Sequence, residues 1–151
     1  MRTYYRYNAF AIAGAVVIQA AAIAWGAFGI AHDSDNGMTI TKDYTGNFGF
    51  ELHAMMGTFV IPLLAISFLI AGIVAHKTAG CLKWSIVVFG LIALQVVLAG
   101  LAFAQPIIGV LHGTNALLIL LSSIRASFIV RQPKATQAVS APVSERETTS
   151  H

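Results

Sequence analysis

Four long apolar runs, separated by short polar stretches, constrain this chain more than any other feature. The first, Ala9 to Ala31, carries no charged side chain. As a helix it would be ~35 Å long, enough to cross a ~30 Å hydrocarbon core. The second runs from Phe50 to Ala75, the third from Trp84 to Ala104 and the fourth from Ile107 to Val130. Backbone groups in a bilayer core find no water to bond, so open spans of this kind must be helical. Charged residues are only 10% of the chain and hydrophobic ones 57%, against roughly 25% charged in a soluble domain. A soluble fold would have to be almost all interior. The reading is therefore an all-α, integral membrane four-helix bundle over residues 1–130. From Arg131 the composition turns to Pro, Ser, Thr, Gln and Glu, and the tail 131–151 is expected to be disordered because it cannot bury apolar surface.

The connections carry their own signals. Met1 to Tyr7 is basic and aromatic (Arg2, Arg6, Tyr4, Tyr5, Tyr7), as befits a headgroup anchor. The run after it exceeds the ~7–15 apolar residues of a signal peptide, so it reads as a retained span. His32 to Gly49 forms the one long polar loop before the tail, with Asp33, Asp35, Asp43 and the turn formers Asn36-Gly37 and Gly46-Asn47. Pro62 is expected to kink the second span. His76 to Lys83 reads as a short basic turn and Gln105-Pro106 as a tight connection. Cys81, the single cysteine, is expected in the basic turn at a membrane edge. It has no partner for an internal disulfide and no CxxCH context for covalent haem attachment. The net charge of +3 forms no stripe, so nucleic acid is not an expected partner.

Charge also predicts an orientation. Arg2, Arg6, Lys77, Lys83, Arg125, Arg131, Lys134 and Arg146 fall on one side of the four spans, and Lys42 alone falls on the other. By the positive-inside rule both termini are expected in the cytoplasm, with the aspartate-bearing loop outside.

That topology gives two histidines a shared depth. His53 lies about three residues inside the second span and His112 about five inside the fourth, so both would sit ~5–8 Å below the outer boundary. Ionisable groups in a span are expensive and point to function. One such histidine is most simply an interfacial side chain wetted by headgroups. Two at one depth on parallel spans can converge on one ligand, and neutral imidazole is a good iron ligand. Each would need an acceptor for its other ring nitrogen, and Glu51, an outer-loop aspartate or a backbone carbonyl is a candidate. Gly57 and Ala116, each four residues after a histidine, are small enough to make room for a flat macrocycle, although small residues also serve plain helix packing. Asn115 can bond a propionate or another helix. A faint repeat, Val17-Ile18-Gln19 against Ala93-Leu94-Gln95, suggests two related helix pairs. Gln19 and Gln95 are expected near mid-membrane, making interhelical hydrogen bonds rather than ligand contacts. His32, His76 and His151 stand at span ends or in the tail and are not expected to bind metal. No GxSxG, HExxH or P-loop pattern is present.

Glu51-Leu52-His53 followed by Met56-Gly57-Thr58-Phe59-Val60 resembles the histidine-bearing second helix in one half of haem A synthase. Leu94 to Leu101, then Pro106 and Val110-Leu111-His112, resembles the third and fourth helices of the same half. The chain is similar in this respect to small four-span bacterial membrane proteins of unknown function, which would place it in the inner membrane. The resemblance covers about Val17 to Ser123. It implies that His53 and His112 are axial ligands of haem iron. The family's helix-two glutamate, associated with hydroxylation of the haem side chain, usually stands three positions before the histidine. Here Glu51 stands two before His53, turned ~200° around the helix from it. The synthase also has two halves, and this chain has one.

Three functions follow as expectations. The first is a b-type haem protein that transfers electrons to a redox partner, or holds haem, near the outer face. Bis-histidine ligation fills both axial positions and favours electron transfer over oxygen chemistry. The second is a cofactor-free accessory subunit of a larger membrane complex. The third is a reduced haem-modifying enzyme working with a second copy as a homo-oligomer.

Overall fold

The computed structural model describes residues 2–41, 43–44 and 46–130, and all regular structure among them is helical. Four helices are long and apolar enough to cross a bilayer: α1 Arg2–Asp35, α2 Phe48–Val74, α3 Cys81–Ala104 and α4 Ile108–Ile129. They close a ring in which α1 packs on α2 and α4, and α3 packs on the same two helices. Within each pair the helices run antiparallel: Gly26 meets Gly49 and Tyr5 meets Phe68 between α1 and α2, and Gln95 meets His112 and Leu91 meets Asn115 between α3 and α4. The tail expected to be disordered, 131–151, lies outside the described residues.

α1 outruns its apolar segment at both ends. Tyr5, expected in the headgroup zone, is instead fully buried. Its ring lies 4.6 Å from that of Phe68, and its hydroxyl donates to the Cys81 carbonyl at 3.0 Å. A buried phenol with its hydroxyl bonded belongs in a core, so the helix begins early. At the other end the helix stops in a Schellman turn. The Met38 N–H reaches the Asp33 carbonyl and the Gly37 N–H the Ser34 carbonyl, both at 3.0 Å. Gly37 takes the left-handed conformation this turn requires, at φ 88°.

Cys81 is not in a loop. It is the first residue of α3 and fully buried, because the chain reverses one residue earlier, at Gly80 with φ 88°. Its carbonyl also accepts from the Ser85 hydroxyl at 2.6 Å.

Pro62 leaves its mark just before itself. Residues Met56–Val60 form a π-helical turn, closed by the Ile61 N–H bonding the Met56 carbonyl five residues back. Proline lacks an N–H and crowds the carbonyl four residues earlier. Widening the preceding turn by one residue accommodates both faults. α2 thus has two α-helical segments, Phe48–Met55 and Ile61–Val74, on either side of the π turn.

The packing is uneven along the bundle axis. Tyr5, Ile12, Phe68, Val88, Ile119 and Ala126 form a closed core towards the 75–80 connection. On α3 nothing beyond Ile92 is buried, and on α4 nothing before Asn115. The first segment of α2 buries only Gly49, against α1. That contact is very close: a Cβ on Gly49 would stand 2.5 Å from the Gly26 nitrogen and 2.6 Å from the Ala22 carbonyl oxygen. Asn47 reinforces it, accepting from the Gly49 N–H at 3.0 Å and donating to the Gly26 carbonyl at 3.1 Å. The first segment of α2 is held to α1 and makes no comparable packing with α3 or α4. The bundle is closed at one end and open at the end that carries both histidines.

Candidate functional site

Each histidine is tied to the neighbouring helix by the same bond. His53 Nδ1 donates to the Gln19 carbonyl on α1 at 3.1 Å, and His112 Nδ1 donates to the Gln95 carbonyl on α3 at 3.2 Å. A carbonyl only accepts, so the proton must sit on Nδ1 in both rings. Nε2 is then left with its lone pair and no hydrogen-bond partner among the described residues. This is the arrangement in which a metal-ligating histidine is held: one nitrogen anchored to a carbonyl, the other available. The acceptors are two backbone carbonyls, the last of the three kinds the sequence offers. Glu51 is exposed in the first turn of α2 and bonds neither histidine. A carboxylate there is also favourable simply because it faces the positive end of the helix dipole.

The rings come together across the open end, with centres 6.3 Å apart and planes inclined by 59°. Both are half-buried. The bundle therefore brings the histidines of α2 and α4 to one level, although the first segment of α2 packs mainly on α1.

The faint repeat in the sequence corresponds to a geometric one. Gln19 with His53 and Gln95 with His112 occupy matching places in the α1–α2 and α3–α4 pairs. The second pair is the more tightly bonded. Gln95 Nε2 donates to the His112 carbonyl at 3.0 Å. Asn115, three residues after His112, is 4% exposed and donates to Gln95 Oε1 at 2.7 Å and to the Leu91 carbonyl at 2.8 Å. Asn115 thus bonds helix α3, one of the two partners its position allows. In the first pair the residue three after His53 is Met56, and no amide is available to complete the network. Among the described residues, Gln19 Oε1 is buried without a partner, as is Asn115 Oδ1. A Cβ on Gly57 would meet Gln19 Nε2 at 2.8 Å, so the space this glycine leaves is taken by an amide. Ala116 lies half-buried against the core.

Among the described residues, no three His, Cys, Asp or Glu side chains gather into a group able to hold a metal ion. The His32 ring and carbonyl bond the amide of Asn36, just past the end of α1, and His76 Nδ1 donates to the Ile73 carbonyl at 2.8 Å. Two imidazoles alone make a poor site for a bare ion. They suit a metal that brings its own equatorial ligands. An imidazole nitrogen bonds a transition metal at about 2.0–2.1 Å and lies about 1.2 Å from its ring centre, so two rings on opposite sides of one metal have centres about 6.4 Å apart. The observed ring separation of 6.3 Å is compatible with that spacing, which also requires both Nε2 atoms to face the same metal.

Compared with known proteins, the chain matches no family model, no curated protein and no solved structure.

Proposed function

We propose that this chain is a multi-pass b-type haem-binding membrane protein in which His53 and His112 are the two axial ligands. We further propose that it carries electrons, or holds haem, near the outer face of the inner membrane, with both termini in the cytoplasm. The observation that carries the reading is the matched pair of Nδ1–carbonyl bonds, which leaves two Nε2 lone pairs on rings 6.3 Å apart at the open end of the bundle. Haem would supply iron that alternates between two oxidation states. The chain's own part is to fix both imidazoles by the Gln19 and Gln95 carbonyls and to keep them neutral at Nε2. With both axial positions filled, the protein supports electron transfer rather than oxygen chemistry. The resemblance to one half of haem A synthase supports the same ligand pair.

The test is the absorption spectrum of protein purified in mild detergent after expression with ample haem. A Soret band and sharp α and β bands on reduction are expected, as for six-coordinate low-spin b haem. His53→Ala and His112→Ala should each abolish the low-spin spectrum, and the double variant should lose little more than the worse single one. Well-folded wild-type protein without haem absorbance would refute the reading, and a cofactor-free accessory subunit would take its place.

A further inference from the structure

The two histidines are not equivalent. His112 sits on a helix bonded to its neighbour at four points around the ligand. Its Nδ1 bonds the Gln95 carbonyl, its own carbonyl takes Gln95 Nε2, and Asn115 bonds both Gln95 Oε1 and the Leu91 carbonyl. His53 has one such bond, to the Gln19 carbonyl. Three residues after His53 the helix enters the π turn Met56–Val60, which separates its segment from the remainder of α2. π turns interrupt the regular helical ladder and occur often at functional sites. The His53 segment leans on α1 through the Gly26–Gly49 contact and makes no comparable packing with α3 or α4. The amides beside the two rings differ in the same sense. Gln95 has both ends of its side chain bonded, whereas among the described residues the Gln19 side chain has neither, and its Oε1 is buried.

The geometry points to His112 as the permanent axial residue and His53 as the displaceable one, so that a small neutral diatomic molecule binds on the His53 side beside the free Gln19 amide. This rests on the haem reading above. The step is a ligand exchange on reduced iron. The bond from iron to His53 Nε2 breaks, a bond from iron to the diatomic forms, and the imidazole leaves neutral with its lone pair restored. No electron or proton changes hands. The Gln19 Nε2 group can then donate to the outer atom of the bound molecule, whereas Gln95 Nε2 is held in place by its bond to the His112 carbonyl.

The experiment uses the full-length chain in detergent, reduced with dithionite, with carbon monoxide as the probe. Wild-type protein should form a carbon monoxide adduct slowly, limited by loss of His53. His53→Ala should keep its haem, turn five-coordinate and bind the gas at least tenfold faster. His112→Ala should retain less than a tenth of the haem. Gln19→Leu should raise the carbon–oxygen stretching frequency of the adduct by removing the donor, whereas Gln95→Leu should leave it in place. Amide hydrogen exchange without added gas should be faster over Phe48–Met55 than over the first turns of α4. Low-spin haem that takes up no carbon monoxide over hours would overturn this inference and leave the bis-histidine reading intact. Loss of haem from His53→Ala with retention in His112→Ala would also overturn it. Protein with no haem at all would overturn both.

Discussion

The position of His53 depends on how closely α1 and α2 approach, and that approach depends on one hydrogen atom. In Gly49→Ala the new methyl would stand 2.5 Å from the Gly26 nitrogen and 2.6 Å from the Ala22 carbonyl oxygen, both backbone atoms that cannot swing aside. Ordinary contact needs about 3.5 Å, so the helices must separate by roughly 1 Å, an overpacking that costs about 1–3 kcal/mol. His53 lies one turn further along the same segment, and its bond to the Gln19 carbonyl is already 3.1 Å long. A shift of that size takes it beyond hydrogen-bonding distance. Gly49→Ala should therefore lower the thermal midpoint by about 2–12 °C in a detergent melt, taking ~2–4 °C per kcal/mol for a chain of this length. It should also weaken the low-spin haem spectrum. Gly90→Ala and Gly100→Ala are the controls, since a Cβ there meets nothing within 4 Å. In a helix interior these changes should be neutral or stabilising by up to ~1 kcal/mol. If Gly49→Ala melts with these controls and keeps its spectrum, the close α1–α2 contact does not hold His53.

Further predictions come from the polar groups. Asn115→Leu removes two interhelical bonds and should cost about 1 kcal/mol, at ~0.6 kcal/mol for an average bond in a membrane bundle; haem should dissociate faster in the same variant, because Gln95 loses its support. Glu51→Gln should preserve bound haem and shift its potential only modestly, as the carboxylate is exposed and bonds neither histidine; complete loss of haem from folded protein would give Glu51 a direct role. In the connection between α1 and α2 the Tyr44 hydroxyl donates to Asp33 at 2.9 Å, and this bond holds its pKa above the ordinary tyrosine value. The bond contributes stability below the ordinary tyrosine pKa of about 10 and loses it as pH rises through the higher folded value. In an ultraviolet phenolate titration, the absorbance change lost in Tyr44→Phe should fall at higher pH than that of an ordinary exposed tyrosine. A cysteine placed at Ser34 should label with an impermeant reagent from outside intact cells; labelling only after lysis would reverse the proposed orientation.

Much of this architecture was legible in the sequence because hydropathy in a span is a strong signal and turn residues punctuate it. Asn36-Gly37 marks the end of α1 and Gln105-Pro106 the end of α3. The helix starts were harder to read. Tyr5 looks like an interfacial anchor until Phe68 and the Cys81 carbonyl are seen around it, and such long-range contacts have no local signature. Cys81 is hard to place from sequence for a related reason: Lys77 and Lys83 suggest a turn, but the reversal is complete at Gly80. Pro62 signalled a disturbance without fixing its form, which is a π turn rather than a simple kink. At the site, equal depth on two spans was enough to pair His53 with His112. The carbonyls that receive their Nδ1 protons were not readable, since every residue offers a carbonyl and only packing selects one. Gln19 and Gln95 showed as a weak repeat whose meaning emerges once each is found beneath a histidine.

Near-infrared magnetic circular dichroism of the oxidised protein tests the central claim most directly, because its charge-transfer band reports the chemical identity of both axial ligands. A bis-imidazole band in the wild type, lost in both His53→Ala and His112→Ala, is the predicted result. A histidine–methionine band, which Met55 or Met56 beside His53 could supply, would contradict the assignment, as would a bis-imidazole band that survives either substitution.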